Sequence, residues 1–348
     1  MKAKDIAKAI GVTKKDVSSY LHSHKDCYQQ NDDYEWSLFD PQKVTLSLYT
    51  GWMTVDRFEE CLRAAGSILE MDCKTVEIIF PQDCKPMIDA VARILALMNQ
   101  LAKQGKEVIA DFSSCGRARS YLDRAGFFDM LDAGITVLPA RPESSAADRY
   151  RGQSDTLVEF GAVDPAIEND DLKERLIEKF IIQSSQKYEV AACTVFGELI
   201  GNIHEHSGAY IPGYAGLQRY NGYAGKSAHI QTVVSDSGMG IACTLRSTLK
   251  RHHKELYKEF KDRTLENDAG LVERVMSVGG ISQKGPGRGM GFKLSRVQAT
   301  KFHGEFTVRQ NRFSLRFEFH EGVLIKVHRQ LGLPLLEGTH ICFDFFLE

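Results

Sequence analysis

The chain has 348 residues, too many for one simple core, and its 43% hydrophobic and 26% charged content is that of folded domains rather than of a disordered chain. Forty-four Lys and Arg against 46 Asp and Glu give a net charge of -2, which excludes a wholesale polyanion-binding surface but allows a local basic patch. No apolar run approaches the roughly 18 residues of a membrane helix. Met1–Asp5 lack a signal peptide's apolar stretch, so a cytoplasmic protein without a membrane partner is expected. The eight cysteines (27, 61, 73, 84, 115, 193, 243, 342) form no CxxC pair, which argues against a zinc site and a disulfide scaffold.

Residues 1–40 read as a small basic unit. Asp5–Ile10 has helical periodicity, Gly11 can end that helix, and Thr13 can cap the next, Lys14–Leu21. Helix, Gly turn and helix make a helix-turn-helix pattern, followed by a short strand at Tyr34–Leu38. Through residue 25, six lysines face two aspartates, a net of +4.

Residues 44–139 alternate strand and helix. Strands are expected at Val44–Tyr49, Val76–Phe80, Val108–Phe112 and Ile135–Leu138, and helices at Asp56–Leu69, Pro86–Lys103 and Arg117–Ala125. Residues 140–156 are polar and broken, as in a linker or exposed loop. Beyond them, helices are expected at Asp170–Ser184 and Tyr188–His206, and strands at His229–Ser235, Gly304–Gln310, Arg312–Phe319 and His340–Phe346. The fold class is therefore α/β (α+β), in three domains spanning 1–40, 44–139 and 157–348.

Four separated segments of the last domain suit one chemistry. In Glu198–His206, spacing of four puts Glu198, Asn202 and His206 on one helical face. An Asn oxygen suits Mg²⁺, and a Glu one turn earlier can orient or deprotonate a nucleophile. Val233–Ile241 carries Asp236 at a strand end, followed by Gly238 and Gly240. A buried carboxylate there can accept from an adenine amino group while the glycines let backbone approach the base. Gly287, Gly289 and Gly291 alternate before an expected helix, Phe292–Ala299, where backbone N–H groups can cradle phosphate. Thr339 enters the final strand, where its hydroxyl can bond the nucleotide or Asp236. Singly, each segment also reads as a polar helix face, a turn, a flexible Gly loop or a strand start.

In their order, the four segments resemble the Bergerat-fold ATPases, the superfamily of DNA gyrase, the ninety-kilodalton heat-shock chaperones and histidine kinases. The resemblance covers roughly residues 165–348, and the Glu198–Asn202–His206 segment is most similar to the anti-sigma-factor serine kinases. It implies an α/β sandwich with a mixed sheet, ATP and Mg²⁺ as cofactors, and hydrolysis of ATP or phosphate transfer to a protein Ser or Thr. By it, Glu198 is the catalytic carboxylate, Asn202 the Mg²⁺ ligand, and Asp236 the adenine reader. Gly238 and Gly240 line the base, while Gly287, Gly289 and Gly291 meet the phosphates. Thr339 supports Asp236, His206 contacts phosphate or packs, and Lys284 reaches the γ-phosphate. Residues 241–284 become a mobile lid.

Residues 76–131 resemble the STAS fold of sulfate transporters and anti-sigma antagonists, through the strand–helix–strand order and Arg117–Phe128. Asp83–Asp89 has no Ser or Thr at the usual phosphoacceptor position, so the resemblance implies a docking or regulatory role. Residues 1–38 resemble a Z-alpha-type winged helix through Lys14–Val17 and Trp36, with Ser18 and His22 in place of that family's Asn and Tyr. Phosphate contact would run through Lys14 and Lys15. Expected partners are ATP, a regulatory protein, nucleic acid through residues 1–38 and, in a homodimer, a second copy. The alternative function is a nucleotide-switched DNA-binding regulator without turnover.

Overall fold

The computed structural model describes the chain except residues 26, 32, 39–41, 164–169, 207–210, 223–226, 279–302, 321–322 and 348. The first unit comprises α1 (Ala3–Ile10), α2 (Lys14–Ser23), β1 (Tyr28–Gln30) and β2 (Trp36–Leu38), the strands pairing antiparallel. Gly11 ends α1 in the left-handed region at φ 74°, its N–H donating to Ala7, and the Thr13 hydroxyl accepts from the Asp16 N–H to cap α2. Ala3, Ala7, Val17, Leu21 and Trp36 form its small core. Trp36 is thus a packing residue.

The second unit runs β3 (Lys43–Ser47), β4 (Gly51–Met53), α3 (Val55–Ala65), β5 (Thr75–Ile79), β6 (Cys84–Pro86), α4 (Ile88–Lys103), β7 (Glu107–Asp111), α5 (Gly116–Arg124), α6 (Phe127–Met130) and β8 (Thr136–Leu138). Strands β3, β5, β7 and β8 make a parallel sheet in chain order, with β4 and β6 as a separate parallel pair. Leu46, Val76, Ile78, Val108 and Ala110 face the core, while Glu77, Ile109 and Asp111 on the other face are half-buried.

Residues 140–156 are not a free linker. They contain α7 (Ala146–Arg149), capped by Ser145, and the Arg141 guanidinium donates to the carbonyls of Phe128, Leu131, Asp132 and Ile135 at 2.7–3.3 Å. Four carbonyls at the end of α6 satisfy one planar cation, which pins a stretch whose composition alone reads as open.

The third unit comprises β9 (Leu157–Val163), α8 (Asp170–Gln183), α9 (Glu189–His206), β10 (Gly213–Tyr220), β11 (His229–Asp236), α10 (Ile241–His252), α11 (Lys254–Phe260), α12 (Leu265–Val278), β12 (Gly304–His320) and β13 (Val323–Phe346). Its five strands lie in the order β12-β13-β11-β10-β9. Among the described residues the expected mixed sheet is instead antiparallel at every pairing. Strands β11 and β12 run the same way, but β13 lies between them, so no parallel ladder forms. Residues 241–278, expected within a mobile lid, are three helices. Leu245, Leu249, Phe260, Leu271 and Val275 form their own core, and α12 packs on β12 and β13.

The expected strands 304–310 and 312–319 are one strand, bent where the register shifts between Gln310 and Phe313 and Asn311 takes φ 44°. The strand doubles back far enough that the His320 ring lies 4.8 Å from that of His303.

Helix α4 joins the second and third units. It packs on β7 of the parallel sheet and on β10, β11 and β13 of the antiparallel one. Ile88–Leu101 are buried throughout, and one core holds Ile94, Leu97 and Met98 with Val233, Leu336 and Cys342. On the opposite face of the antiparallel sheet, α8 and α9 bury Leu176, Phe180, Val195, Leu199 and Ile203 against Ile230, Val234 and Phe343.

Candidate functional site

The β-branched run of β11 makes a strand buried at all eight positions, with alternate side chains on opposite faces. Ile230 and Val234 pack under α8 and α9, whereas Gln231 and Val233 face α4. Asp236 falls on the α9 side by this alternation. Its ladder partner on β13 is Thr339, which shares that side with Ile341 and Phe343.

Asp236 is 8% exposed. One carboxylate oxygen accepts from the Gly238 N–H at 2.7 Å, and the Thr339 N–H and hydroxyl donate to the same group. Burial pushes the Asp236 carboxyl up to about 6, against those three hydrogen bonds. The Thr339 hydroxyl also accepts from Gln310 Nε2 at 3.3 Å, and Gln310 Oε1 accepts from the Ala242 N–H at the start of α10 at 3.3 Å. One side chain thus links the strand end, the threonine and the following helix.

Two glycines make this packing possible. Gly338 has φ 91°, and a Cβ there would lie 1.9 Å from the Asp236 carbonyl oxygen. Gly240 has φ 79°, and its Cβ would meet Gln310 Nε2 at 2.2 Å. Behind the strand, Ser235 Oγ bonds His340 Nδ1 at 2.9 Å, and His340 Nε2 faces the Glu337 carbonyl at 3.0 Å. A carbonyl only accepts, so Nε2 carries the proton and Nδ1 accepts. Burial, reinforced by Arg93 and Arg309, pulls His340 down to about 3, and it stays neutral. A cleft of ≈ 520 Å³ opens beside Ser237, Gly238 and Met239, bordered by Asn311, Arg312, Leu335 and Glu337. That volume is within the range of ligand pockets, but Asp236 and Thr339 do not line it.

Helix α9 carries positions 198, 202 and 206 at successive turns, and Glu198 is half-buried. Ile203 packs where a Cβ on Gly213 would meet it at 3.1 Å and the Ser235 carbonyl at 2.8 Å. The last turns of α9 therefore lie against the ends of β10 and β11, beside Asp236. The side chains of Asn202 and His206 lie outside the described residues, as do Lys284, Gly287, Gly289, Gly291 and the expected helix Phe292–Ala299. Among the described residues no group of three or more His, Cys, Asp or Glu is placed to hold a metal ion. None of their helices is long and apolar enough to cross a membrane. Lys14 and Lys15 stand exposed on α2.

No protein-family model, curated protein or solved structure matches the chain. The site therefore rests on its own geometry. The structure brings Asp236, Gly238, Gly240 and Thr339 together and lays α9 beside them. Gln310, Gln100, Ser237 and His340 also belong to this neighbourhood and were not singled out by the sequence. Gln310 had one signal, its place at the end of a predicted strand.

Proposed function

We propose that the third unit binds ATP·Mg²⁺ in the manner of the histidine-kinase-like ATPases, and that it hydrolyses ATP or transfers its γ-phosphate to a protein Ser or Thr. The observation that carries this reading is the buried Asp236, held by Gly238 and Thr339 at a strand end on the face covered by α9. A carboxylate has lone pairs beyond those its internal donors occupy, and an adenine amino group is a donor that fits. Above pH 6 the group is ionised and acts only as an acceptor, which selects a base presenting N–H.

In this reading Glu198 takes the proton of the attacking water or hydroxyl. The γ-phosphate passes in line to that oxygen and ADP leaves. Mg²⁺, when bound, would neutralise phosphate charge and is assigned to Asn202, one turn after the half-buried Glu198. The remaining phosphate contacts are assigned to His206, Lys284, Gly287, Gly289 and Gly291.

The second unit is proposed as a STAS-like regulatory module. Helix α4 supports that role because it shares one core with the antiparallel sheet. A second reading, a nucleotide-switched DNA-binding regulator, is favoured by exposed Lys14 and Lys15 on the second helix of the small first unit. Incubation with ATP labelled on the γ-phosphate separates these readings. Free labelled phosphate marks an ATPase, label on a partner protein marks a kinase, and binding without either marks a switch. Failure to bind ATP overturns all three.

A further inference from the structure

Ser237 and Glu337, close in sequence to Asp236 and Thr339, are bonded from the α4 side by a residue far away in sequence. Between the pairs Gln310↔Thr339 and Asn311↔Leu336 the register shifts, leaving Glu337 and Gly338 out of step with β12. On the other side, the ladder between β11 and β13 ends at the pair Asp236↔Thr339. Gln100, on α4 and 1% exposed, fills that place. Its Oε1 accepts from the Glu337 N–H at 3.0 Å, and its Nε2 donates to the Glu337 carbonyl and to Ser237 Oγ, each at 2.9 Å. One side-chain amide thus imitates a strand for Glu337 and ties it to the residue after Asp236. The preceding residue, Asn99, does the same for the second unit. Its Nδ2 donates to the Met130 carbonyl and its Oδ1 accepts from the Asp132 N–H, both at 2.9 Å.

We propose that Gln100 is a positioning residue that fixes Ser237 against Glu337, and so holds Asp236 and Thr339 in the relative geometry that receives the adenine edge. The inference rests on the nucleotide reading above and makes the affinity of that site depend on α4.

Three variants of the full chain test it: Gln100→Met, which keeps volume and removes all three bonds; Ser237→Ala, which removes one from the other side; and Asn99→Ala, a buried neighbour that leaves the site bonds in place. Hydrogen exchange without nucleotide reports on segments 236–240 and 336–340, and calorimetry follows titration with ATP·Mg²⁺. Gln100→Met is expected to raise exchange in both segments and weaken ATP roughly tenfold. Ser237→Ala should do the same to a smaller extent. Asn99→Ala should lower the thermal midpoint while moving neither site readout.

Unchanged exchange in both site variants overturns the positioning role whether or not ATP binds, and so does an equal effect from Asn99→Ala. If Gln100→Met fails to fold, Ser237→Ala decides. If exchange rises but the wild type takes up no ATP, the nucleotide reading fails, and the affinity half of this inference fails with it.

Discussion

Where α3, α4 and β12 meet, three charges are buried together. Glu59, 2% exposed, accepts from Arg93 at 2.9 Å and from Arg309 Nε at 2.8 Å. Arg309 is fully buried; its Nη2 donates to Glu59 Oε2 at 3.4 Å and to the Pro334 carbonyl, and its Nη1 to the Asn311 carbonyl. Burial pulls the Arg309 guanidinium below its ordinary value, and the Glu59 carboxylate opposes that. Glu59→Gln would leave two guanidinium groups without a counter-charge. Breaking one side of a buried pair costs about 3–5 kcal/mol. At a urea slope of about 3 kcal/mol per molar, the unfolding midpoint should fall by roughly 1–1.7 M. The triple variant Glu59→Leu, Arg93→Met, Arg309→Met buries no charge and should cost less than the single change. Equilibrium urea unfolding followed by far-UV circular dichroism and tryptophan fluorescence reads both. A Glu59→Gln midpoint at the wild-type value, or a triple variant worse than the single one, would refute the reasoning. Separate transitions for the two sheets would refute the core they share through α4.

Asp236 and Asp344 should give stability a distinct pH profile. Burial raises each from its ordinary 3.8 to about 6, against the Gly238 and Thr339 bonds in one case and against His229 and Gln231 in the other. The unfolded chain therefore releases these protons before the folded one does. The stability they contribute is full below about pH 4 and is lost as pH rises through 6. Asp236→Asn and Asp344→Asn should each flatten that decline in urea titrations between pH 4 and 7; an undiminished slope would contradict the burial argument. Two glycine variants separate backbone strain from collision. Gly332→Ala, at φ 71° with open space around it, should cost about 1–2 kcal/mol. Gly338→Ala drives a methyl into the Asp236 carbonyl, so it should part β11 from β13 and cost far more. Equal thermal midpoints for the two would count against the close strand approach.

Local chemistry was readable where neighbours in sequence decide it. Gly11 and Thr13 shape their turn with residues no more than four positions away. The strand and helix alternation of residues 44–139 appears with its boundaries moved by a few residues. Asp236 and Thr339 were expected to meet, and they are ladder partners. The surroundings of α4 were not legible. The pattern gives a helix at Pro86–Lys103 but not what its polar residues Asp89, Arg93, Asn99 and Gln100 meet. In the fold Asp89 and Gln100 meet Gln231 and Glu337 of the antiparallel sheet, while Arg93 and Asn99 meet Glu59 on α3 and Asp132 just after α6. Such pairings span up to 237 positions, which no local pattern encodes. The bend at Asn311 had a weak signal, since Asn tolerates positive φ better than most residues. Within the lid that the resemblance implies over 241–284, no local pattern marked Leu249 and Phe260 as members of a small helical core.

Calorimetric titration of ATP·Mg²⁺ into the wild-type chain and into Asp236→Asn at pH 7.5 tests the adenine site most directly. Asn keeps the shape of the carboxylate but replaces one acceptor oxygen with a donor. The wild type should bind and the variant should lose most of that affinity, with its thermal midpoint retained. Equal binding by the two chains, or none by the wild type, would contradict the account.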